Sequence, residues 1–200
     1  MDATLQRKLI EDVANVVISH ADELTTLDQA IGDGDHGLNM KRGAMAVLER
    51  LDDLAAESLP DALQAAGQTL VMKVGGASGP LYGTLLMTLG KSLPVSPNRG
   101  ELAQALGAAV AAVKKIGRSD AGQKTMLDVL GPVHEELASG GPALLDRLRE
   151  RSAVAADATI PMKAIKGRAS FLGERSIGHM DPGARSSSLM IAAVCTVMEE

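Results

Sequence analysis

Aromatic residues are almost missing from this 200-residue chain: there is no tryptophan, one tyrosine (Tyr82) and one phenylalanine (Phe171). Strands of sandwiches and barrels lean on aromatic and β-branched side chains, so the deficit argues against an all-β fold. It also removes the stacking platforms of single-strand binders, and a pI near 5.4 removes the basic footprint of duplex binders, which excludes nucleic acid as a partner. Cysteine is scarce too. Cys195 stands alone inside the apolar run from Leu189 and reads as a small buried hydrophobe, consistent with a reducing, cytoplasmic setting. Four histidines and one cysteine are too few for a zinc set, and no Ser-His-Asp or Cys-His arrangement is legible. No apolar run approaches the roughly 20 residues that span a bilayer. The opening Met-Asp-Ala-Thr lacks the basic region and apolar segment of a secretory signal, so no membrane association is expected.

What is present is an ordinary globular composition, 46% apolar and 22% charged with a net charge of −5, in which one domain over 1–200 is the expectation. Helices of Ala, Leu and Met are the natural alternative to strands. Leu5, Leu9, Val13, Val16 or Val17 and His20 recur about four apart, and Leu102, Leu106, Val110 and Val113 form a second stripe ending at Gly117. Similar spacing gives helices over 38–56, 60–74, 81–91, 122–139, 142–156 and 184–199, eight in all, with Pro132 placed to kink the sixth. Thr159 to Gly183, broken by Pro161, Gly167, Gly173, Gly178 and Pro182, reads as a long structured loop with a short helical piece. Loops of that length inside a compact domain are usually functional.

Charge is divided along the chain. Leu9 to Met40 holds seven acids and no Lys or Arg, whereas Ile160 to Arg185 holds five basic residues against two acids. Such a division suits a site for cations and a polyanion, and equally suits two solvated faces of opposite sign. Glycine, 21 residues in all, gathers in three clusters beside helix starts: Gly32, Gly34, Gly37 and Gly43; Gly75, Gly76, Gly79 and Gly83; Gly167, Gly173, Gly178 and Gly183. Glycines there let backbone approach a ligand, and helix N-termini offer unpaired N–H groups to phosphate.

The first cluster matches G-x-G-x-x-G at Gly32, Gly34 and Gly37, but a helical acidic segment precedes it, and Asp33 and Asp35 would repel a pyrophosphate on bare backbone. A metal reconciles them. Two carboxylates about 4 Å apart repel by roughly 4 kcal/mol at an effective dielectric of 20, and a divalent cation reverses the sign. Asp28, Asp33 and Asp35 are therefore candidate Mg²⁺ ligands, completed by water and phosphate oxygens. An EF-hand fails because Leu38 and Ala44 stand where Gly and Glu are required; a solvated acidic helix cap stays open as the alternative. Gly75 to Gly83 is no Walker loop, lacking Gly-Lys-Ser/Thr, and reads as a helix cap that can present Ser78 to phosphate. His36 is a phosphate contact or a cap residue; His20 and His134 are packing or surface residues.

Taken together, Leu27-Asp-Gln-Ala-Ile-Gly-Asp-Gly-Asp-His-Gly-Leu-Asn-Met-Lys-Arg-Gly43, Gly75-Gly-Ala-Ser-Gly-Pro-Leu-Tyr-Gly83, Lys124-Thr-Met-Leu-Asp128 and Gly167-Arg-Ala-Ser-Phe-Leu-Gly-Glu-Arg-Ser-Ile-Gly-His-Met-Asp-Pro-Gly-Ala184 resemble the nucleotide-binding L subunit of dihydroxyacetone kinase. Four motifs in order over essentially the whole chain make the resemblance specific. It implies a closed barrel of about eight antiparallel helices with ADP or ATP bound at one end through two Mg²⁺ ions. By motif, Asp28, Asp33 and Asp35 would ligate the metal. Nucleotide contacts would fall on His36, Gly37, Leu38, Asn39, Ala77 and Ser78 near the phosphates, and on Gly117 and Met126 towards the base. Arg168 and Asp181-Pro182-Gly183 would complete the pocket, with Arg168 as the catalytic group offsetting developing charge.

The resemblance also implies that this chain is half of a kinase of glycerol metabolism. A separate K subunit would hold the ketone, and the L chain would deliver the phosphoryl group. In the phosphotransferase-linked mode, ADP stays bound and is rephosphorylated by an M-type phosphocarrier. A stand-alone L chain favours that mode over an ATP-dependent kinase for another short ketose such as erythrulose. A role as an ADP-loaded module that signals to a transcription regulator uses the same pocket.

Overall fold

The computed structural model describes all residues from Met1 to Glu200 and contains helices but no strand. Its helices are α1 (Ala3–Ser19), α2 (Ala21–Ile31), α3 (His36–Leu48), α4 (Leu51–Ala56), α5 (Leu59–Lys73), α6 (Ser78–Ser92), α7 (Arg99–Gly117), α8 (Leu127–Ser139), α9 (Leu144–Asp157) and α10 (Pro182–Glu199). Two of these extend others. Only His20 separates α1 from α2, and two residues, Glu49 and Arg50, separate α3 from α4.

Eight staves remain, and each packs on the next: α1 on α3, then α5, α6, α7, α8, α9 and α10, with α10 returning to α1 to close a ring. Side-chain contacts show that neighbours run antiparallel. Lys8 near the start of α1 meets Glu200 at the end of α10 at 3.3 Å, and Arg149 in the first half of α9 meets Glu199 at 2.6 Å. Arg99 at the start of α7 donates to the Leu137 and Ala138 carbonyls at the end of α8, both at 2.8 Å. The closed, antiparallel, all-α barrel expected from the resemblance is the observed architecture.

Alanine and glycine allow the staves to approach closely. A Cβ on Gly67 of α5 would lie 2.8 Å from the Gly83 carbonyl of α6, and one on Gly83 would lie 2.8 Å from the Gly67 carbonyl. The barrel is filled by Val17, Met40, Leu85, Val110, Val113, Leu127 and Leu130, with Tyr82 as its one aromatic. A second cluster, including Val129, Val133, Leu137, Leu148 and the buried Cys195, fills the side formed by α7 to α10. Burial pushes the Cys195 thiol up from its ordinary value, which leaves it an inert core residue.

The structure departs from the periodicity in three places. The stretch 38–56 breaks at Arg50, whose ψ of 13° leaves the helical region. The helix expected from 122 begins at Leu127, because Asp128 reaches back to hold 122–125 in a turn. The acidic segment before Gly32, read as helical but not counted among the eight helices, is α2, which extends the first stave and packs on α3 and α10. Pro132 lies inside α8 without ending it. The long loop between α9 and α10 does contain a short helical piece, the 3-10 segment Arg168–Ser176, broken at Gly173.

Candidate functional site

In an antiparallel ring, the connections after the first, third, fifth and seventh staves must share an end. Here those are residues 32–35, 74–77, 118–126 and 158–181, the four stretches that carry the sequence motifs. They enclose a cavity of about 370 Å³, lined from the first by Asp28, Asp33, Asp35 and His36 and from the second by Ala77 and Ser78. Lys124 and Met126 line it from the third, and Lys166, Arg168, Asp181, Pro182 and Gly183 from the fourth.

The carboxylates of Asp28, Asp33 and Asp35 each offer an oxygen, and these atoms lie within 4.8 Å of one another. Asp28 is buried on the last turn of α2, and its Oδ2 accepts from the Asp35 and His36 amides at 2.8 and 3.1 Å. Gly32 is required beside it, since a Cβ there would fall 2.1 Å from Asp28 Oδ1. An all-oxygen set of this kind suits Mg²⁺. Arg168 reaches across from the late loop, its Nε 3.0 Å from Asp33 Oδ2.

His36 opens α3 and is buried. Its Nδ1 pairs with Ser78 Oγ and its Nε2 with Ser186 Oγ, each at 3.0 Å. Burial lowers its pKa, while Asp28 and Asp35 pull the other way. The ring therefore links the starts of α3, α6 and α10, three helix N-termini that abut one cavity and favour anions there. Below it, the Tyr82 hydroxyl donates to the Gly183 carbonyl at 3.0 Å and pairs with Ser186 and Ser187 at 2.8 and 2.9 Å. Burial pushes the phenol up to about 12. Asp181 caps α10 by accepting from the Ala184 amide at 2.7 Å, and burial pushes its carboxyl up to about 7.

The remaining residues named by resemblance lie beside the cavity lining. Gly37 and Leu38 are in the first turn of α3. A Cβ on Gly37 would come 2.0 Å from the Ala21 carbonyl, so that glycine lets α3 lie against α2, while the Leu38 side chain is exposed. Asn39 is buried and accepts from Arg42 at 3.3 Å. Gly117 ends α7, in contact range of Leu81 at the start of α6.

Sequence reasoning assigned no role to Lys124, Lys166, Tyr82 or Ser186. Lys124 opens the Lys124-Thr-Met-Leu-Asp128 motif inside the helix expected over 122–139, and only the structure shows it buried in a turn. Ser186 is one of three consecutive serines, and nothing in its spacing marks it.

The chain matches the DAK2 domain family over residues 30–196. It is 44% identical over 186 residues to a Listeria innocua protein, "PEP-dependent dihydroxyacetone kinase 1, ADP-binding subunit DhaL", covering 92% of this chain and 91% of that one. It is 40% identical over 194 residues to the corresponding "PEP-dependent dihydroxyacetone kinase, ADP-binding subunit DhaL" of Escherichia coli, covering 93% and 92%. Among solved structures it resembles the dihydroxyacetone kinase of C. freundii in complex with AMP-PNP and Mg²⁺, with a TM-score of 0.79 and 26% identity. That match covers 96% of this chain and 34% of the other, so this chain spans about a third of that kinase. On the matched domain and the near full-length identity, the chain belongs to the DAK2-domain family, alongside the DhaL ADP-binding subunits.

Proposed function

We propose that this chain is the ADP-binding phosphotransfer subunit of a dihydroxyacetone kinase, passing a phosphoryl group from Mg-bound nucleotide to dihydroxyacetone held on a separate K subunit. In this reading ADP stays on the chain and is rephosphorylated by an M-type phosphocarrier of the phosphotransferase system. The observation that carries it is the convergence of three carboxylates and three helix N-termini on one cavity. Acids alone would repel a phosphate and helix starts alone would not hold a metal; together they suit a metal–phosphate pair. The names of the Listeria and E. coli relatives agree with it.

Asp28, Asp33 and Asp35 would hold Mg²⁺, two ions by the family resemblance. Bound there, the metal supplies charge neutralisation of the phosphoryl oxygens. The chain's own groups do the rest. Asp28, which lines the cavity, is held in place by the two amides it accepts from and so needs little reorganisation. Gly37, Leu38, Asn39, Ala77 and Ser78 form or adjoin the first turns of α3 and α6 that receive phosphate oxygens. Gly117, Met126, Asp181, Pro182 and Gly183 complete the nucleotide pocket. Neutral His36 holds Ser78 and Ser186 in place. Arg168, now paired with Asp33 at the mouth, is free to follow developing charge on the transferred group.

Mass spectrometry of the purified protein, denatured after extensive dialysis with Mg²⁺, tests the reading. Stoichiometric retained ADP is the expected result. Nucleotide-free protein that binds ATP weakly and reversibly would instead identify the L component of an ATP-dependent kinase for another short ketose. That second reading is favoured by the AMP-PNP complex of the structural relative.

A further inference from the structure

The late loop, residues 158–181, is long, yet few of its side chains enter the core; Ala164 and Ala169 are among the buried ones, and Phe171 at its tip is 89% exposed. What holds it is a lysine from another connection. Lys124 is 1% exposed, and its ammonium donates to four backbone carbonyls: His179 at 2.5 Å, Ser176 at 2.7 Å, Met162 at 3.0 Å and Ile160 at 3.4 Å. Two of these precede the stretch 163–175 and two follow it. An ammonium has three N–H groups, so its donors are fully used by loop backbone.

The turn that aims the lysine is itself secured. Lys124 has a φ of +62°, a left-handed backbone that carries a steric cost for any residue with a Cβ. Buried Asp128 stabilises it by accepting from the Gly122 and Thr125 amides at 2.5 and 2.7 Å. Bonds within the loop then tie its two ends: Gly178 N–H to Ile160 O at 2.8 Å, Ala164 N–H to Ser176 Oγ at 2.9 Å and Asp181 N–H to Thr159 Oγ1 at 3.0 Å. The stretch so clasped carries Lys166 and Arg168 to the cavity mouth. Without the ammonium, the Met162, Ser176 and His179 carbonyls would lose their donor, while Ile160 would keep the Gly178 N–H, a cost that the loop can relieve by opening.

We infer that Lys124 is a positioning residue, a clasp on both ends of the late loop that places Arg168 at the cavity mouth. The value of that placement for Mg-ADP rests on the proposed function; the clasp itself does not.

The test uses a property of this sequence: one phenylalanine, on the loop, and one tyrosine, on the barrel floor. Fluorophenylalanine and fluorotyrosine therefore give one ¹⁹F line each. In the nucleotide-free full chain, Lys124→Met is expected to narrow the Phe171 line at least twofold while leaving the Tyr82 line in place. Trypsin cutting at Lys163, Lys166, Arg168 and Arg175 should speed up about tenfold, and Mg-ADP affinity should fall about tenfold. Unchanged lines with wild-type cutting would overturn the clasp, as would both lines changing together, which marks a general loosening of the barrel. Should Lys124→Met not fold, Lys124→Gln is read by the same criteria; failure of both to fold also overturns it, since the lysine would then serve the barrel. If the wild type binds no Mg-ADP, the proposed function falls while the ¹⁹F lines and trypsin still decide the clasp.

Discussion

The two ends of this barrel solve the same problem in opposite ways. At the end joined by residues 57–58, 93–98 and 140–143, the starts of α1, α5 and α7 are closed by their own neighbours in sequence. Asp2 accepts from Leu5 N at 2.8 Å and Ser58 from Asp61 N at 3.3 Å. Asn98 and Glu101 form a reciprocal box at 3.0 and 2.8 Å. At the other end the caps of α3 and α6, Asp35 and Ala77, make no side-chain cap bond. There the polar groups are buried and pair over long sequence distances, His36 with Ser78 and Ser186 and Lys124 with the late loop. One end closes three of its helix starts locally, whereas the other caps only α10, through Asp181, and leaves the starts of α3 and α6 beside a cavity lined with carboxylates. Stability and ligand chemistry are thus separated along the barrel axis.

That separation can be broken experimentally, most severely at the carboxylates. If the proposed function holds, Asp33→Ala or Asp35→Ala should abolish Mg-ADP retention while helical circular dichroism stays near wild type, because each removes an exposed carboxylate of the acidic cluster and no core contact. A next, smaller effect is expected at Arg168. With the partner subunits supplied, Arg168→Ala should slow phosphoryl transfer by roughly 10³-fold, the scale of an arginine that stabilises transferring phosphate, with Mg-ADP still retained. Equal loss of retention would assign Arg168 to binding.

Tyr82 gives a pH reading of the same end. As the only tyrosine in a chain without tryptophan, it can be followed alone by tyrosinate absorbance, with an expected midpoint of about 12 in the folded protein against the ordinary 10.0. Its folded pKa is the higher one, so its contribution to stability is present below pH 10 and is lost as pH rises towards 12. A midpoint near 10 would place the phenol in water. The smallest effect belongs to the far end: Asn98→Ala should cost about 1 kcal/mol of unfolding free energy, measured by denaturant titration, and leave Mg-ADP binding unchanged.

The same contrast explains what could be read from the sequence. Local closure is legible, because a cap or an apolar stripe is written within a few residues; 60–74, the stripe from Leu102 to Gly117 and 184–199 correspond to α5, α7 and α10 within two or three residues. The acidic cluster was legible for a related reason: Asp28, Asp33 and Asp35 fall within eight positions, and the fold brings an oxygen of each within 4.8 Å of the others. Glycine was legible only in part. Gly37 and Gly83, counted with the site clusters, sit where helices touch, so some of the glycine excess belongs to packing. Lys124 was not legible at all, because the carbonyls that accept from it lie 36 to 55 residues away and carry no side-chain signature.

The even number of staves has a consequence for how such a protein can change. Losing or gaining one stave would invert the direction of every later one and carry the downstream motifs to the wrong face, stranding Arg168 and Asp181 a barrel length from Asp28. Only paired additions preserve the meeting of the four connections. The hairpin of two helices is therefore the smallest unit by which this architecture can grow or shrink and still assemble its pocket, a parity rule imposed by topology alone.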